Sequence, residues 1–156
     1  MVNRAVFTLT ALMAVLFFLA SHYDNYFFLL HFLETAIYLT VLLLLFYGIE
    51  EWGYSMAFQA PLLWIVLGVL GGTLIGGLEA LGEMVRFQPL ESPARLVNGL
   101  LFITGIALSL TSGRVLWKEI RGRPGAVRAF VGSLLVTGAF YAVVIFTLLR
   151  MVEPTR

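Results

Sequence analysis

Long uninterrupted apolar runs constrain this chain more than any other feature of its sequence. Five stretches are apolar enough to cross a hydrocarbon core about 30 Å thick, which takes about 20 helical residues. The runs lack the in–out alternation of membrane β-strands, so helices are preferred over a barrel. The sequence therefore predicts an all-α, polytopic membrane helix bundle with about five transmembrane helices, at residues 5–23, 26–48, 61–81, 96–113 and 129–149.

Composition agrees with lipid as the solvent. Of the 156 residues, 60% are apolar and 12% are charged, whereas a soluble domain has roughly a quarter of its residues charged. The net charge of +1 gives no field that would favour nucleic acid as a partner. We expect one compact bundle in a lipid bilayer, with the plasma (cytoplasmic) membrane as its location.

The first apolar run has a second interpretation. Arg4 followed by a short apolar stretch resembles a secretory signal, with Ala20 at the cleavage point. The bulky Phe18 stands where signal cleavage sites favour a small residue. We therefore expect the run to be retained as a span.

Lysine and arginine predict the orientation. Half of the ten basic residues lie in the fourth connection, and cytoplasmic loops carry such an excess. Placing this connection inside puts the N-terminus inside and the C-terminus outside. The same segment, if it lies on the membrane surface, could bind anionic lipid rather than only set topology. Its basic residues are Arg114, Lys118, Arg121, Arg123 and Arg128.

Ionisable residues inside the predicted spans are concentrated in one outer layer. Charged groups within a membrane are costly and are functional candidates by default. With the predicted orientation, the second, third and fourth spans all place polar residues near their outer ends, and we expect these side chains to face one another inside the bundle. The predicted cluster comprises His31, Glu34, Glu79, Glu83, Arg86 and Asn98.

Small residues recur at intervals of four along the predicted third span. Such a ridge lets another helix backbone approach closely in lipid. It predicts close packing against a neighbouring helix, a partner subunit or a second copy of the chain. The ridge comprises Gly68, Gly72, Gly76 and Ala80.

The cluster has three interpretations that the sequence leaves open. The carboxylates can be structural, with Glu83 paired to Arg86 one turn away and Glu34 paired to His31. They can hold a proton or a cation, because coupled buried carboxyl groups titrate together. They can also belong to a ligand site.

Known catalytic and cofactor motifs are missing from the sequence. There is no cysteine, which excludes disulfides, thiolate metal sites and iron–sulfur clusters. With only two histidines, His22 and His31, a haem would have to be shared across a dimer. No nucleophile motif, metal motif or phosphate loop is present. The sequence therefore predicts no catalytic residue, no metal and no cofactor.

Two functions remain as hypotheses. The first is a non-catalytic accessory or scaffolding subunit of a larger membrane complex, for which short loops and a packing ridge are suited. The second is a homo-oligomeric channel or a proton- or cation-coupled transporter that uses the intramembrane carboxylates. An enzyme is the least favoured class because no catalytic set can be named.

Overall fold

The computed structural model describes residues 2–24, 27–89 and 92–152. Every regular element in these ranges is helical. The elements are α1 (Arg4–Tyr23), α2 (Phe28–Phe46), α3 (Glu50–Leu70), α4 (Thr73–Val85), α5 (Pro93–Val115), a π-helical turn (Leu116–Ile120) that continues α5, and α6 (Ala126–Val152).

Five of these helices are long and apolar enough to cross a membrane. They are α1, α2, α3, α5 with its π-helical turn, and α6, with mean hydropathy between 1.5 and 2.2. At 1.5 Å per residue, even the shortest reaches about 28 Å. The predicted all-α class and the predicted number of spans are confirmed. The predicted orientation of the termini stays a prediction.

The third span lies elsewhere than the sequence predicts. The predicted span covers residues 61–81, but α3 begins at Glu50 and Pro61 lies within it. The helix ends at Leu70 and is capped by Gly71, and Gly72 follows with a φ of +72°. A residue with a side chain rarely adopts this left-handed conformation, so glycine is suited to the break. The rest of the predicted span forms the separate helix α4.

Hydropathy misplaced α3 because its first half contains polar residues whose partners lie within the bundle. The Ser55 hydroxyl donates to the carbonyl of Glu51 at 2.6 Å. The Gln59 amide donates to the carbonyl of Phe130 at 3.0 Å and accepts from the Ser133 hydroxyl at 2.9 Å. Polar groups satisfied in this way can be buried without the cost that their hydropathy implies.

The four-residue glycine ridge is also corrected. Gly72 lies in the break, so Gly68 belongs to α3 whereas Gly76 and Ala80 belong to α4. These residues therefore cannot form one straight ridge.

One close helix–helix approach uses two glycines that lie outside the predicted ridge. A Cβ added to Gly77 of α4 would lie 2.8 Å from the backbone nitrogen of Gly99 of α5. A Cβ on Gly99 would in turn collide with the carbonyl oxygen of Gly77. The two backbones are therefore in direct contact, as small residues permit in membrane helices.

The ends of the second and fifth spans agree broadly with the prediction. The predicted span 26–48 corresponds to Phe28–Phe46, and Tyr26 lies outside the described residues. The predicted span 129–149 corresponds to Ala126–Val152, a somewhat longer helix.

The fourth span is longer than the predicted 96–113. It begins at Pro93, which takes the first helical position where its missing N–H costs nothing. It continues through the π-helical turn to Ile120, so part of the basic segment is helical. The helix is broken from Arg121 to Gly125, and Gly125 has a φ of +89°.

An aromatic cluster and a terminal hydrogen bond define how the first three helices lie together. The Phe17 ring stacks on Tyr38 at 5.3 Å and meets the edge of Trp64 at 5.5 Å. The backbone N–H of Asn3 donates to the Tyr54 hydroxyl at 2.7 Å. Two contacts in the same order along α1 and α3 mean that these helices run in the same direction. One end of the bundle therefore holds the starts of α1 and α3, and the other holds the connection from α1 to α2.

Candidate functional site

Glu34 is the most deeply buried acidic residue among the described residues, and 4% of the whole residue is exposed. It lies one turn after His31 on α2, and Nδ1 of the imidazole is 3.0 Å from Oε2 of the carboxylate. Spacing of three residues on a helix brings such side chains onto one face. A carboxylate hydrogen-bonded to an imidazole costs less to bury than an unpaired one.

Asp24 completes the arrangement from the end of α1. Its Oδ2 lies 3.8 Å from Nε2 of His31, and its Oδ1 accepts a hydrogen bond from the backbone N–H of Phe27 at 3.2 Å. Side-chain exposure falls along this line, from 30% at Asp24 to 12% at His31 and 5% at Glu34. The imidazole thus connects a carboxylate near the surface to one in the interior.

Asp24 is not among the site residues that the sequence predicts. The available signal was an acidic residue in a short connection between two spans, a few residues before a histidine inside the next span. Hydropathy placed Asp24 outside the membrane, and only the packing of α1 on α2 shows that its carboxylate reaches the imidazole.

Buried hydroxyls follow Glu34 toward the middle of the bundle. Tyr38 lies one turn further along α2, and α6 contributes Tyr141 and Thr137. All three hydroxyls are buried, and none makes a hydrogen bond of ordinary geometry to the described residues. The two tyrosine hydroxyls face each other and interact electrostatically with the Glu34 carboxylate.

The polar line continues along α6. Ser133 lies four residues before Thr137, on the same face of the helix. Its hydroxyl contacts both the Gln59 side chain and the carbonyl of Phe130 at 2.9 Å. A row of polar side chains therefore runs through the interior, from Asp24 at one end to Gln59 well inside α3.

The predicted six-residue cluster does not form as one site. Glu79 and Arg86 are exposed, while Glu83 and Asn98 are partly exposed. Glu79, Glu83, Arg86 and Arg95 line a crevice of about 610 Å³ between α4 and α5, and Asn98 joins Glu79 and Arg95 at an adjacent crevice. Neither crevice includes His31 or Glu34.

The expectation that Glu79 and Glu83 face into the bundle beside Glu34 is therefore wrong. The physical reason is the break at Gly72. It makes α4 a separate helix that packs mainly against α5, so its residues do not follow the rotation and depth of α3.

Residues of the basic segment have different environments. Arg123 Nη1 donates to Glu50 Oε2 at 2.8 Å and lies 3.6 Å from Glu51 Oε1. The hydrogen bond to Glu50 raises the pKa of the Arg123 guanidinium. Arg121 instead stacks on the indole of Trp117, with its guanidinium carbon 4.0 Å from the ring centre. Arg114, Lys118 and Arg128 are exposed.

The carboxylate groups around His31 do not form a metal-binding geometry. Its two carboxylate neighbours approach opposite edges of the imidazole, so they do not converge on one point in space. Within residues 2–24, 27–89 and 92–152, no group of three or more histidine, aspartate and glutamate side chains could hold a metal ion.

Comparison with known proteins adds no functional information. No protein-family model, curated protein or solved structure matches the chain.

Proposed function

We propose that this integral membrane protein takes up and releases protons at the Glu34–His31 pair, as a channel or a proton-coupled transporter. The observation that supports the proposal is the contact of 3.0 Å between the carboxylate of a residue that is 4% exposed and an imidazole within a candidate span. Histidine changes its charge near neutral pH, and positioned carboxyl groups act as proton donors and acceptors. Intramembrane ionisable residues commonly mark proton relays.

Chemistry selects the proton over larger cations. A hard cation requires several oxygen ligands around one point, whereas a proton requires only one acceptor. The pair has a single close contact between Nδ1 and Oε2, which suits one proton moving between two bases. Neutral tautomers of histidine carry the proton on either nitrogen, so His31 can accept at one edge and donate at the other.

Asp24 provides access from one membrane surface. Its carboxylate is 30% exposed and lies against the edge of His31 that faces away from Glu34. Asp24 Oδ2 lies 3.8 Å from Nε2, so a proton taken up by Asp24 can pass to Nε2 through a bridging water. The proton on Nδ1 can then pass to Glu34.

Hydroxyl groups extend the route into the bundle. Tyr38 and Tyr141 lie beside Glu34, and Thr137 and Ser133 continue along α6 to Gln59. Hydroxyls both donate and accept, so a row of them can pass a proton along with the help of water. The buried hydroxyls of Tyr38, Tyr141 and Thr137 lie along this route, and the position of the two tyrosines next to Glu34 supports this interpretation.

Proton flux in liposomes tests the proposal. The purified protein is reconstituted with a pH-sensitive dye trapped inside, and an imposed potassium diffusion potential drives protons. We expect Glu34→Gln to lower the initial rate roughly tenfold or more, as removal of a proton-transfer group does in enzymes. Glu79→Gln is the matched control, because it removes the same charge from an exposed position on α4. Equal rates for the unaltered protein, Glu34→Gln and protein-free liposomes would overturn the proposal.

A second candidate is an accessory subunit of a larger membrane complex, and the surface of α4 favours it. On this helix Ile75 is 65% exposed and Leu78 is 48% exposed, next to the exposed carboxylate of Glu79. A carboxylate on an apolar helix surface is costly in lipid unless a partner or the headgroup layer receives it. A partner subunit with a basic residue would satisfy this surface.

Purification in mild detergent distinguishes the two candidates. If other membrane chains co-purify in fixed proportion and Glu79→Lys releases them, the accessory function gains support. A homo-oligomer that retains proton flux after purification would favour the transport function. Separation of the cell membranes before purification, with detection of the protein in each fraction, would test the proposed location in the plasma membrane.

A further inference from the structure

An apolar crevice lies at the end of the bundle where α5 gives way to α6. Its volume is about 400 Å³, within the size range of ligand sites. Its walls come from three elements: Phe58 of α3, Leu116 and Trp117 of the π-helical turn, and Val127 and Phe130 of α6. This crevice is separate from the Glu34–His31 pair.

Two local features create the space. The π-helical turn widens the helix between Leu116 and Ile120, and such turns are rare and frequently found at functional sites. One turn earlier, Gly113 has no side chain, and a Cβ there would lie 3.1 Å from the Phe58 ring. A larger residue at Gly113 would therefore push Phe58 into the crevice.

Charge at the border of the crevice points to an anionic ligand. Arg121 lies at the border and stacks on Trp117 at 4.0 Å. Stacking uses the face of the guanidinium and leaves its edge N–H groups for a phosphate. The segment from Arg114 to Arg128 holds five basic residues and one acidic residue, Glu119.

We propose that this crevice binds an anionic phospholipid, with an acyl chain along Phe58 and Phe130 and the phosphate at Arg121. The ligand must match both the apolar crevice and the positive charge of Arg121 at its border. A small soluble anion would make no favourable contact with the apolar crevice, and a neutral lipid would gain little from the basic segment. Trp117, which is 68% exposed, lies where an indole ring favours the headgroup level.

Native mass spectrometry of the purified full chain tests the site. The protein in mild detergent is titrated with phosphatidylglycerol, and in parallel with phosphatidylcholine of the same acyl chains. We expect one phosphatidylglycerol to be retained more strongly than phosphatidylcholine. Arg121→Gln should weaken the phosphatidylglycerol affinity about fivefold, the effect of roughly one basic group at a membrane surface.

Two further variants separate a defined site from general attraction to a basic surface. Lys118→Gln removes the same charge from the same segment at a position that does not line the crevice, so we expect little change. Val127→Phe retains every charge but fills the crevice from an exposed position, so we expect phosphatidylglycerol binding to weaken. Millimolar inorganic phosphate should not displace the lipid.

Several results would overturn the proposal. Equal losses in Lys118→Gln and Arg121→Gln would mean diffuse electrostatic attraction, and unchanged binding in Val127→Phe would mean that the crevice holds no acyl chain. If Val127→Phe does not fold, fluorescence provides an independent measurement. Phosphatidylglycerol with a nitroxide on its acyl chain should quench the unaltered protein more than Trp117→Phe, and equal quenching would exclude contact at Trp117.

Discussion

Gln59 of α3 and Ser133 of α6 are joined inside the bundle by a hydrogen bond of 2.9 Å between their side chains, although they lie 74 positions apart in the chain. The Gln59 amide also donates to the carbonyl of Phe130 at 3.0 Å. Both side chains are nearly inaccessible, at 4% and 0% exposure. This contact holds a polar residue of a spanning helix in place and couples two helices that are distant in sequence.

Loss of this contact should destabilise the fold. We expect Gln59→Ala to lower the free energy of unfolding by about 1–3 kcal/mol, because it leaves the Ser133 hydroxyl and the Phe130 carbonyl with one partner fewer. Unfolding in increasing sodium dodecyl sulfate, followed by circular dichroism, measures the change. Gln88→Ala, at an exposed position, is the control. A double-mutant cycle with Ser133→Ala should show coupling, and strict additivity would contradict the assigned contact.

The contact between Gly77 and Gly99 predicts a sharp difference among glycines. We expect Gly77→Ala and Gly99→Ala each to destabilise the protein by about 1–3 kcal/mol, because a methyl group would collide with the opposing backbone. Gly82→Ala should be neutral or slightly stabilising, since nothing lies within 4 Å of its added Cβ. Detergent unfolding measures all three.

Gly76→Ala separates this structure from the ridge that the sequence predicted. Its added Cβ would lie 3.6 Å from Arg95, an ordinary contact distance, so the variant should be tolerated. Severe destabilisation by Gly76→Ala, with no effect of Gly77→Ala, would support the ridge instead.

Asp24 should govern the rate at which protons reach His31. We expect Asp24→Asn to slow proton flux in liposomes, but less than Glu34→Gln does, because water can still reach an imidazole that is 12% exposed. Glu83→Gln, on α4, is the control for loss of an acidic residue. If Asp24→Asn leaves the rate unchanged while Glu34→Gln lowers it, protons enter by another route.

The absence of cysteine permits a clean test of orientation. Single cysteines can be placed at Gly122, where an added Cβ meets nothing within 4 Å, and at Phe87, which is 98% exposed. These two positions lie in connections that the predicted topology assigns to opposite sides of the membrane. Positive charge in the segment from Arg114 to Arg128 predicts that Gly122→Cys faces the cytoplasm. A membrane-impermeant maleimide added to intact cells should label Phe87→Cys and spare Gly122→Cys. The reverse pattern would invert the predicted topology.

Part of the candidate site could be predicted from the sequence. His31 and Glu34 lie three residues apart in one apolar run, so their contact follows from helix geometry alone. Asp24, Tyr141 and Thr137 could not be assigned to the same site. Asp24 caps α1, and the other two residues belong to α6. Their proximity to the pair on α2 depends on how the three helices are rotated and shifted against one another.

The amino-acid sequence by itself determined the class of structure and the number of spans. Apolar runs of this length in lipid must satisfy their own backbone hydrogen bonds, and only a helix does so within a single segment. Tertiary structure decided where α3 begins and which glycines meet. It also decided that Glu79 lies apart from Glu34. Hydropathy records the cost of moving one segment into lipid, whereas these features depend on partners such as Phe130 for Gln59 and Gly99 for Gly77 that another helix supplies.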